Sequence, residues 1–428
     1  MRDFLSTLRA RGFLHQTTDD ENDAKPFEKL QASTRVTGYV GFDPTAPSLH
    51  VGSLVPIMGL RHLQDCGHRP VVVLGGGTGM VGDPSGKTEL RKLLLAESIE
   101  ENVRSQREQF SRYLQLQDST GSDDASDDHS VGLVVNNAEW LTSLGYGDFL
   151  REIGRHFSVN RMLSAESVKL RLDSDNGLSF LEFNYMLLQA YDFLLLHRRY
   201  GCTLQMGASD QWGNIVAGVD LIRRVEGSDQ KAHGVTFPLL TMSSGKKMGK
   251  SEAGAVWLDP ARTSPYEFYQ YWVNVDDPDV GRFLRMFTLL SLEEIEVLDK
   301  LEGADIREAK QVLAYEATRL THGEEEAKKA RDGARSVFQG AGDGSNVPTY
   351  SVAETDLAAG LLSIQVFADA GLCDSKSAAR RMARQNGLYV NGESIAEDHT
   401  LTSDQMNDGV ILLRVGKKKH RHLVVGDA

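Results

Sequence analysis

Residues 36–74 read VTGYVGFDPTAPSLHVGSLVPIMGLRHLQDCGHRPVVVL. An apolar run, Val36–Phe42, leads into a turn enforced by Pro44 and Pro47. A helical pattern over Leu49–Leu63 follows, then a second apolar run, Pro70–Leu74. Strand, helix and strand in that order make the unit from which parallel sheets are built. The pattern continues outward to about residue 250. Gly132–Asn136 reads as another buried strand and Val235–Thr241 as a strand-like run, with helices over Glu89–Tyr113 and Phe180–Leu196. The expectation is an α/β fold with a parallel sheet and flanking helices.

The chain of 428 residues is long for one domain, since domains run to roughly 100–200 residues. Residues 264–337 show no strand pattern and are rich in Glu, Leu, Ala and Lys, which predicts an all-α domain. Gly340-Ala-Gly-Asp-Gly-Ser-Asn-Val-Pro348 reads as a linker. Beyond it, a helix over Ser375–Gln385, Gly387 as its C′ residue, and strands joined by Asn391-Gly392 predict a small α+β domain. The acidic run Gln117–Ser130 reads as a surface loop or disordered insertion. No window reaches the ~18 apolar residues of a membrane span, and Met1–Leu14 has no signal-like apolar segment. The three cysteines, Cys66, Cys202 and Cys373, are widely separated, which argues against a disulfide framework or zinc cluster and fits a reducing cytoplasm.

The formal charge of −13 argues at first against a nucleic-acid partner. It is unevenly spread. From Lys376 onward there are nine basic and six acidic residues, a charge of +3, which leaves 38 basic and 54 acidic residues, or −16, in residues 1–375. A basic tail on an acidic body is where an RNA contact is expected.

Four segments carry chemistry. In GGGTGMVGDPSGKT, residues 75–88, the Gly77-x-Gly79-x-x-Gly82 spacing fits a dinucleotide loop, but no ribose-binding acid follows about 20 residues later. The Gly86-Lys87-Thr88 run lacks the glycine that a P-loop needs five positions earlier, where Val81 stands. A tight glycine turn bringing backbone close to a ligand is the reading that remains. In Gly41–Ser53 a strand end runs into a helix, with His50 in the first helical turn; such a place suits phosphate. Pro56 leaves the helix start open. Ser243-Ser-Gly-Lys-Lys-Met-Gly-Lys-Ser251 is a cation-rich loop, on its own most simply a solvated one. On a helix Tyr185, Gln189 and Asp192 fall at i, i+4 and i+7, within an arc of about 60°. A buried Asp192 needs either an internal partner or a polar ligand, and the spacing leaves both open.

Together, and in this order, these blocks resemble the bacterial-type tyrosyl-tRNA synthetases, class I aminoacyl-tRNA synthetases with a C-terminal S4 RNA-binding domain. The His50 segment is similar to the "HIGH" motif in its first His and its Gly, and Lys247-Met-Gly-Lys-Ser251 resembles "KMSKS". Gly207-Ala-Ser-Asp-Gln-Trp-Gly-Asn214, Gly82-Asp-Pro-Ser-Gly86 and the Tyr185–Asp192 helix look like family blocks, and the tail from about Ser363 resembles the S4 module. The resemblance runs from Gln16-Thr-Thr-Asp19 through nearly the whole chain. It implies a Rossmann-like catalytic domain over 1–262 with a connective segment at about 131–165. A helical domain over 263–338, a flexible linker over 339–355 and an S4-like domain over 356–428 would follow.

The resemblance also implies roles. Tyr39 and Asp192 would meet a tyrosine phenol, and Asp83, Tyr185 and Gln189, with Gln205 and Gln211 nearby, would hold its ammonium. Gly41, Asp43, Thr45, His50, Gly52, Ser53, Asp210, Lys247 and Lys250 would bind ATP. Thr45, His50, Lys247, Lys250 and Ser251 would act on the triphosphate in catalysis. Arg380, Arg381, Arg384, Lys417, Lys418 and Lys419 would contact RNA. The implied partners are L-tyrosine, ATP with Mg²⁺ on its phosphates and no metal held by the protein, tRNA(Tyr), and a second copy of the chain in a cytoplasmic homodimer with no membrane. The reaction is activation of tyrosine to tyrosyl-adenylate, then transfer to the 3′-terminal adenosine. A site built for a hydroxyl leaves its own polar groups unpaired when phenylalanine binds.

Two positions depart from the pattern: Ser53 stands at the second His of "HIGH", and Ala208 at a usual Gly. Both are expected to be tolerated. A tryptophanyl relative is disfavoured by the Tyr39/Asp192 pair, because an indole N–H only donates. A small nucleotidyltransferase would not explain the lysine loop and tail. A catalytically silent RNA-binding paralogue is disfavoured by intact His50, Asp192, Lys247 and Lys250.

Overall fold

The computed structural model describes residues 3–19, 26–85, 95–118, 131–175, 177–227, 231–245, 248–251, 254–339, 347–407, 409–416 and 419–426. The chain divides into two compact units. One comprises Met1–Met248 with Leu284–Glu293, the other Gly249–Phe283 with Glu294–Ala428.

The first unit is built on a seven-stranded sheet. Its strands in chain order are β1 (Gln16–Thr17), β2 (Thr37–Phe42), β3 (Arg69–Leu74), β4 (Leu116–Asp118), β5 (Gly132–Asn136), β6 (Cys202–Ala208) and β7 (His233–Phe237). They lie side by side as β1-β7-β6-β2-β3-β5-β4, parallel except where β1 meets β7. Chain order reverses at β2, which has β3 on one side and β6 on the other. The carboxyl ends of strands at such a reversal form the crevice where open α/β sheets bind ligands. Val71, Val73, Leu133 and Val135 of the central strands share one apolar core with Phe193, Leu194 and Leu196 of the helix Tyr185–Tyr200. That helix stops at Gly201, whose φ of 59° is a left-handed cap that leaves its N–H bonding back to Leu196 and His197.

The expected elements are present with shifted ends. The helix drawn from Leu49 starts as a 3-10 turn at Val51–Ser53 and becomes α-helical over Leu54–Asp65. Pro56 then sits in the first helical turn, where its missing N–H has no intrahelical acceptor to lose. Gly59 of this helix packs on the Phe237 ring, with a Cβ there falling 2.3 Å from Cζ. The β7 strand stops at Phe237 and not at Thr241, since Pro238 has no N–H for the ladder. The helix expected over Glu89–Tyr113 is described over Ala96–Phe110, and 89–94 lie outside the described residues.

In the second unit, helices Pro265–Val273, Ile306–His322 and Glu324–Gln339 have no strand between them among the described residues, matching the all-α expectation. The C-terminal part carries a five-stranded sheet in the order Thr349–Val352, Lys419–Val425, Val410–Val415, Leu388–Val390, Glu393–Ser394. Helices Ser363–Asp369 and Lys376–Arg384 pack with it around Leu357, Phe367, Leu388, Ile411 and Leu413. Ser375 caps the second helix by accepting from the Ala378 N–H at 3.1 Å. Asn386, with φ of 53°, takes the left-handed position after it, where Gly387 was expected. Asn391 and Gly392 both have positive φ, as a two-residue type I′ hairpin requires.

Candidate active site

Two clusters of polar side chains stand at the carboxyl ends of β2, β3, β5 and β6. The first surrounds Asp192, which is 3% exposed on the helix Tyr185–Tyr200. One carboxylate oxygen accepts from Trp140 Nε1 at 2.7 Å and the other from Asn137 Nδ2 at 2.9 Å. Burial pushes the Asp192 carboxyl up to about 7, opposed by those two hydrogen bonds and assisted by the nearby charge of Asp43. Tyr39 lies in the core on β2 and packs on Phe193 at 5.3 Å between ring centroids. Its hydroxyl has no hydrogen-bond partner among the described residues. Burial, and then the Asp192 charge, drive its ionisation well above that of a free phenol, so it stays a neutral donor. A buried hydroxyl without a partner is costly in a resting protein and natural where a ligand completes it.

The second cluster gathers the other expected residues. Asp83, just after the positive-φ Gly82, accepts from Gln211 Nε2 at 2.6 Å and from the Ser85 N–H at 2.9 Å. Gln211 joins Gln189 at 3.3 Å, and Asn214 donates to Gln189 at 3.0 Å. The Tyr185 hydroxyl donates to Asp43 at 2.9 Å. Asp210 lies in the 3-10 turn Ser209–Gln211 that ends β6. Gln205 is brought level with Tyr39 by the β2–β6 register, but its Oε1 faces Gly218 and has no hydrogen-bond partner among the described residues.

The turn after β2 is held from outside. Three backbone carbonyls are each met by a side chain of the helix Ala96–Phe110: Pro44 by Asn102 at 2.9 Å, Ala46 by Gln106 at 2.8 Å and Pro47 by Ser105 at 2.6 Å. Gln109 accepts from the Leu49 N–H at 3.1 Å. This explains why that helix buries amides rather than leucines. Gly41, Thr45 and His50 remain exposed. His50 precedes the 3-10 turn, its Nδ1 accepting from the Gly52 N–H at 3.0 Å, and a Cβ on Gly52 would fall 2.7 Å from the imidazole. The hydroxyl of Ser53 accepts from the His50 N–H at 3.4 Å, so this departure from "HIGH" closes the cap. Ala208 has φ of −71°, a conformation open to any L-residue.

Lys247 lies outside the described residues, and for Lys250 and Ser251 only the backbone is described, as a two-residue strand paired with Gly254–Ala255. Among the described residues no cluster of His, Cys, Asp and Glu could hold a metal ion.

Comparison with known proteins decides the family. The model of tRNA synthetases class I (W and Y) matches residues 31–339, and that of the tyrosine–tRNA ligase SYY-like C-terminal domain matches 340–423. A tyrosine–tRNA ligase from Desulfatibacillum aliphaticivorans is 50% identical over 99% of each chain. The chain belongs to the tyrosyl-tRNA synthetases. Within this family, the ligase of Caulobacter vibrioides is 52% identical over 97% of this chain and 96% of its own. A C-terminally truncated mitochondrial tyrosyl-tRNA synthetase of Aspergillus nidulans superposes with a TM-score of 0.66 at 31% identity, covering 79% of this chain and 95% of that one. A tryptophanyl-tRNA synthetase from Encephalitozoon cuniculi, at 13% identity and a TM-score of 0.52, shares the fold alone.

Sequence reading missed Thr78, Asn137, Trp140 and Asn214 of this synthetase's polar clusters. The one available signal was the pair Asn136-Asn137 ending a buried apolar strand, where a polar side chain reaches the crevice.

In the tail, Arg380, Arg381 and Arg384 are all exposed on one short helix, with Arg384 paired to Glu397 at 3.1 Å. Lys419 is half-buried and donates to the Leu372 carbonyl at 3.4 Å, while Lys417 and Lys418 lie outside the described residues.

Proposed function

We propose that this chain activates L-tyrosine with ATP and transfers it to tRNA(Tyr), with the phenol bound by Tyr39 and Asp192. The observation that carries this reading is the buried pair itself. Asp192, ionised, has lone pairs left after Asn137 and Trp140 and accepts the phenol proton; Tyr39, neutral and unpartnered, donates to the phenol oxygen. Asp83, Gln189, Tyr185 and Gln211 offer the acceptors that an ammonium needs. With the ammonium and phenol held, the tyrosine carboxylate attacks the α-phosphorus of ATP and pyrophosphate leaves. Positioning and electrostatic stabilisation carry such a step, so no protein nucleophile is required. Thr45, His50, the helix N-terminus after it, Lys247, Lys250 and Ser251 supply donors and positive charge to the departing phosphates; Gly41, Asp43, Gly52, Ser53 and Asp210 complete the ATP contacts. These phosphate-facing groups are mainly donors, so Mg²⁺ is proposed to be held by the phosphates and not by a protein cage.

The tail, 356–428, is proposed to hold tRNA through Arg380, Arg381, Arg384 and Lys417–Lys419. A homodimer is proposed through the connective segment, where Tyr146, Leu150, Val159 and Leu163 are exposed large apolar residues. A cytoplasmic setting suits three buried cysteines that lie far apart along the chain. The deciding experiment is tyrosine-dependent ATP–pyrophosphate exchange with the purified protein. Exchange at saturating tyrosine and ATP is expected; its absence would leave the silent RNA-binding paralogue. Deleting 356–428 should abolish charging of tRNA and spare exchange, whereas equal loss of both would make the tail a folding element.

A further inference from the structure

The Thr78 hydroxyl links the two clusters at the strand ends. Asn137, 1% exposed, accepts at Oδ1 from the backbone N–H groups of Gly77 at 2.8 Å and Thr78 at 3.4 Å. Backbone N–H groups only donate, so the amide orientation is fixed and Nδ2 is the group that points at Thr78 and Asp192. Its two protons go to Thr78 Oγ1 at 3.0 Å and to Asp192 at 2.9 Å. Having accepted from Asn137, the Thr78 hydroxyl gives its one proton to Asp43 Oδ1 at 2.8 Å. Asp43 accepts from Tyr185 on its other oxygen. Every proton in the chain from Trp140 to Tyr185 therefore has one direction, and each carboxylate is met by donors. Thr78 is 3% exposed, so bulk water is not at hand to replace it. The glycine run makes the room: a Cβ on Gly75 would fall 2.3 Å from Asp43 Oδ1 and 2.6 Å from Thr78 Oγ1. The charges of Asp43 and Asp192 also sense one another, each acting on the ionisation of Tyr185 and Asp43 on that of Asp192.

We propose that Thr78 is a positioning residue whose hydroxyl couples the Asp192 end of the amino-acid site to the Asp43–Tyr185 end, so that recognition of one end of the substrate depends on order at the other. Thr78 does not touch the reacting atoms; it acts through Asn137 and Asp43. The inference rests on the reading that Asp192 meets the substrate phenol and Tyr185 its ammonium end. In a hydrogen-bonded network this coupling shows as non-additivity of changes at the two ends.

The test is a double-mutant cycle, read as kcat/KM for tyrosine in pyrophosphate exchange. Trp140→Phe removes a donor at one end and Tyr185→Phe the donor at the other, each in the wild-type and the Thr78→Val background. With threonine present the two changes should deviate from additivity by about fivefold or more; with valine they should multiply simply. Thr78→Ser, which keeps the hydroxyl, should restore the coupling. Thermal melts check each variant, and Thr78→Ala carries the same cycle if the valine protein does not fold. Equal coupling in the threonine and valine backgrounds would overturn the relay while leaving the site assignment intact. If Trp140→Phe and Tyr185→Phe each left kcat/KM for tyrosine unchanged, the assignment of the site would fall and the relay with it.

Discussion

The cluster around Asp192 and the turn carrying His50 lie at the same edge of one sheet and are built on opposite plans. Around Asp192 every group is buried, the hydrogen bonds come from side chains far away in sequence, and the carboxyl is pushed up to about 7. Around His50 the side chains that would meet phosphate are exposed, and the order resides in the backbone: a capping box, Gly52 under the imidazole, and carbonyls clamped by Asn102, Ser105 and Gln106. The first plan suits discrimination, because a dry site penalises a ligand that lacks the hydroxyl. The second suits a charge that grows during reaction, because donors fixed in place stabilise it without reorganising.

Removing Asp192 should have the largest effect. Asp192→Ala leaves one amide proton of Asn137 and the indole N–H of Trp140 without an acceptor in a buried place and takes the acceptor from the phenol, and kcat/KM for tyrosine should fall on the order of 10³-fold in pyrophosphate exchange. A loss below about tenfold would put the phenol contact elsewhere. His50→Ala should come next, lowering kcat by about 10²-fold with the KM for tyrosine unchanged. If the loss appeared in the tyrosine KM instead, the division between the two regions would not hold.

The third expectation concerns pH. The kcat/KM for tyrosine should fall on the acid side with a midpoint near the Asp192 value of about 7. Trp140→Phe, which removes one donor to the carboxylate, should raise that midpoint by about one pH unit; an unmoved midpoint would assign the limb to another group. Stability should respond as well. The folded value lies above the 3.8 of an ordinary aspartate, so between about pH 4 and 7 the folded chain keeps a proton that the unfolded chain has released. The contribution of Asp192 to stability therefore falls as pH rises through that window. Asp192→Asn, which cannot ionise, should gain in Tm against the wild type from about pH 5 to about pH 8; a difference constant with pH would show that the carboxyl titrates as it does in the unfolded chain.

The smallest effects belong to Ser53. Its hydroxyl contributes one long, partly exposed capping bond, so Ser53→Ala should change exchange by less than about threefold. Ser53→His, which restores the commoner residue, should change it by less than about tenfold. A gain of several orders of magnitude would show that the turn lacks a phosphate contact it needs.

The sequence was most legible where function is local. The turn from Gly41 to Ser53, the spacing of Tyr185, Gln189 and Asp192 on one helix face, and the Asn391-Gly392 hairpin all follow from neighbours along the chain. Element ends were less legible. The β7 strand yields at Pro238, and the left-handed position after the tail helix goes to Asn386 because the chain turns one residue earlier than Gly387. The alternative left open for Asp192 could not be resolved from spacing, since its partners lie more than fifty residues away.

By itself, the sequence determined the order of the segments, the α/β class, the family resemblance and the short-range turns, because each depends on periodicity, on turn chemistry or on motifs read within a few residues. The tertiary structure decided which polar groups are dry and what satisfies them. Asn137 and Trp140 reach Asp192 only because β5 lies beside β3 and the helix Tyr185–Tyr200 packs over both. The raised carboxyl of Asp192 and the unpartnered hydroxyl of Tyr39 exist only once that packing has excluded water.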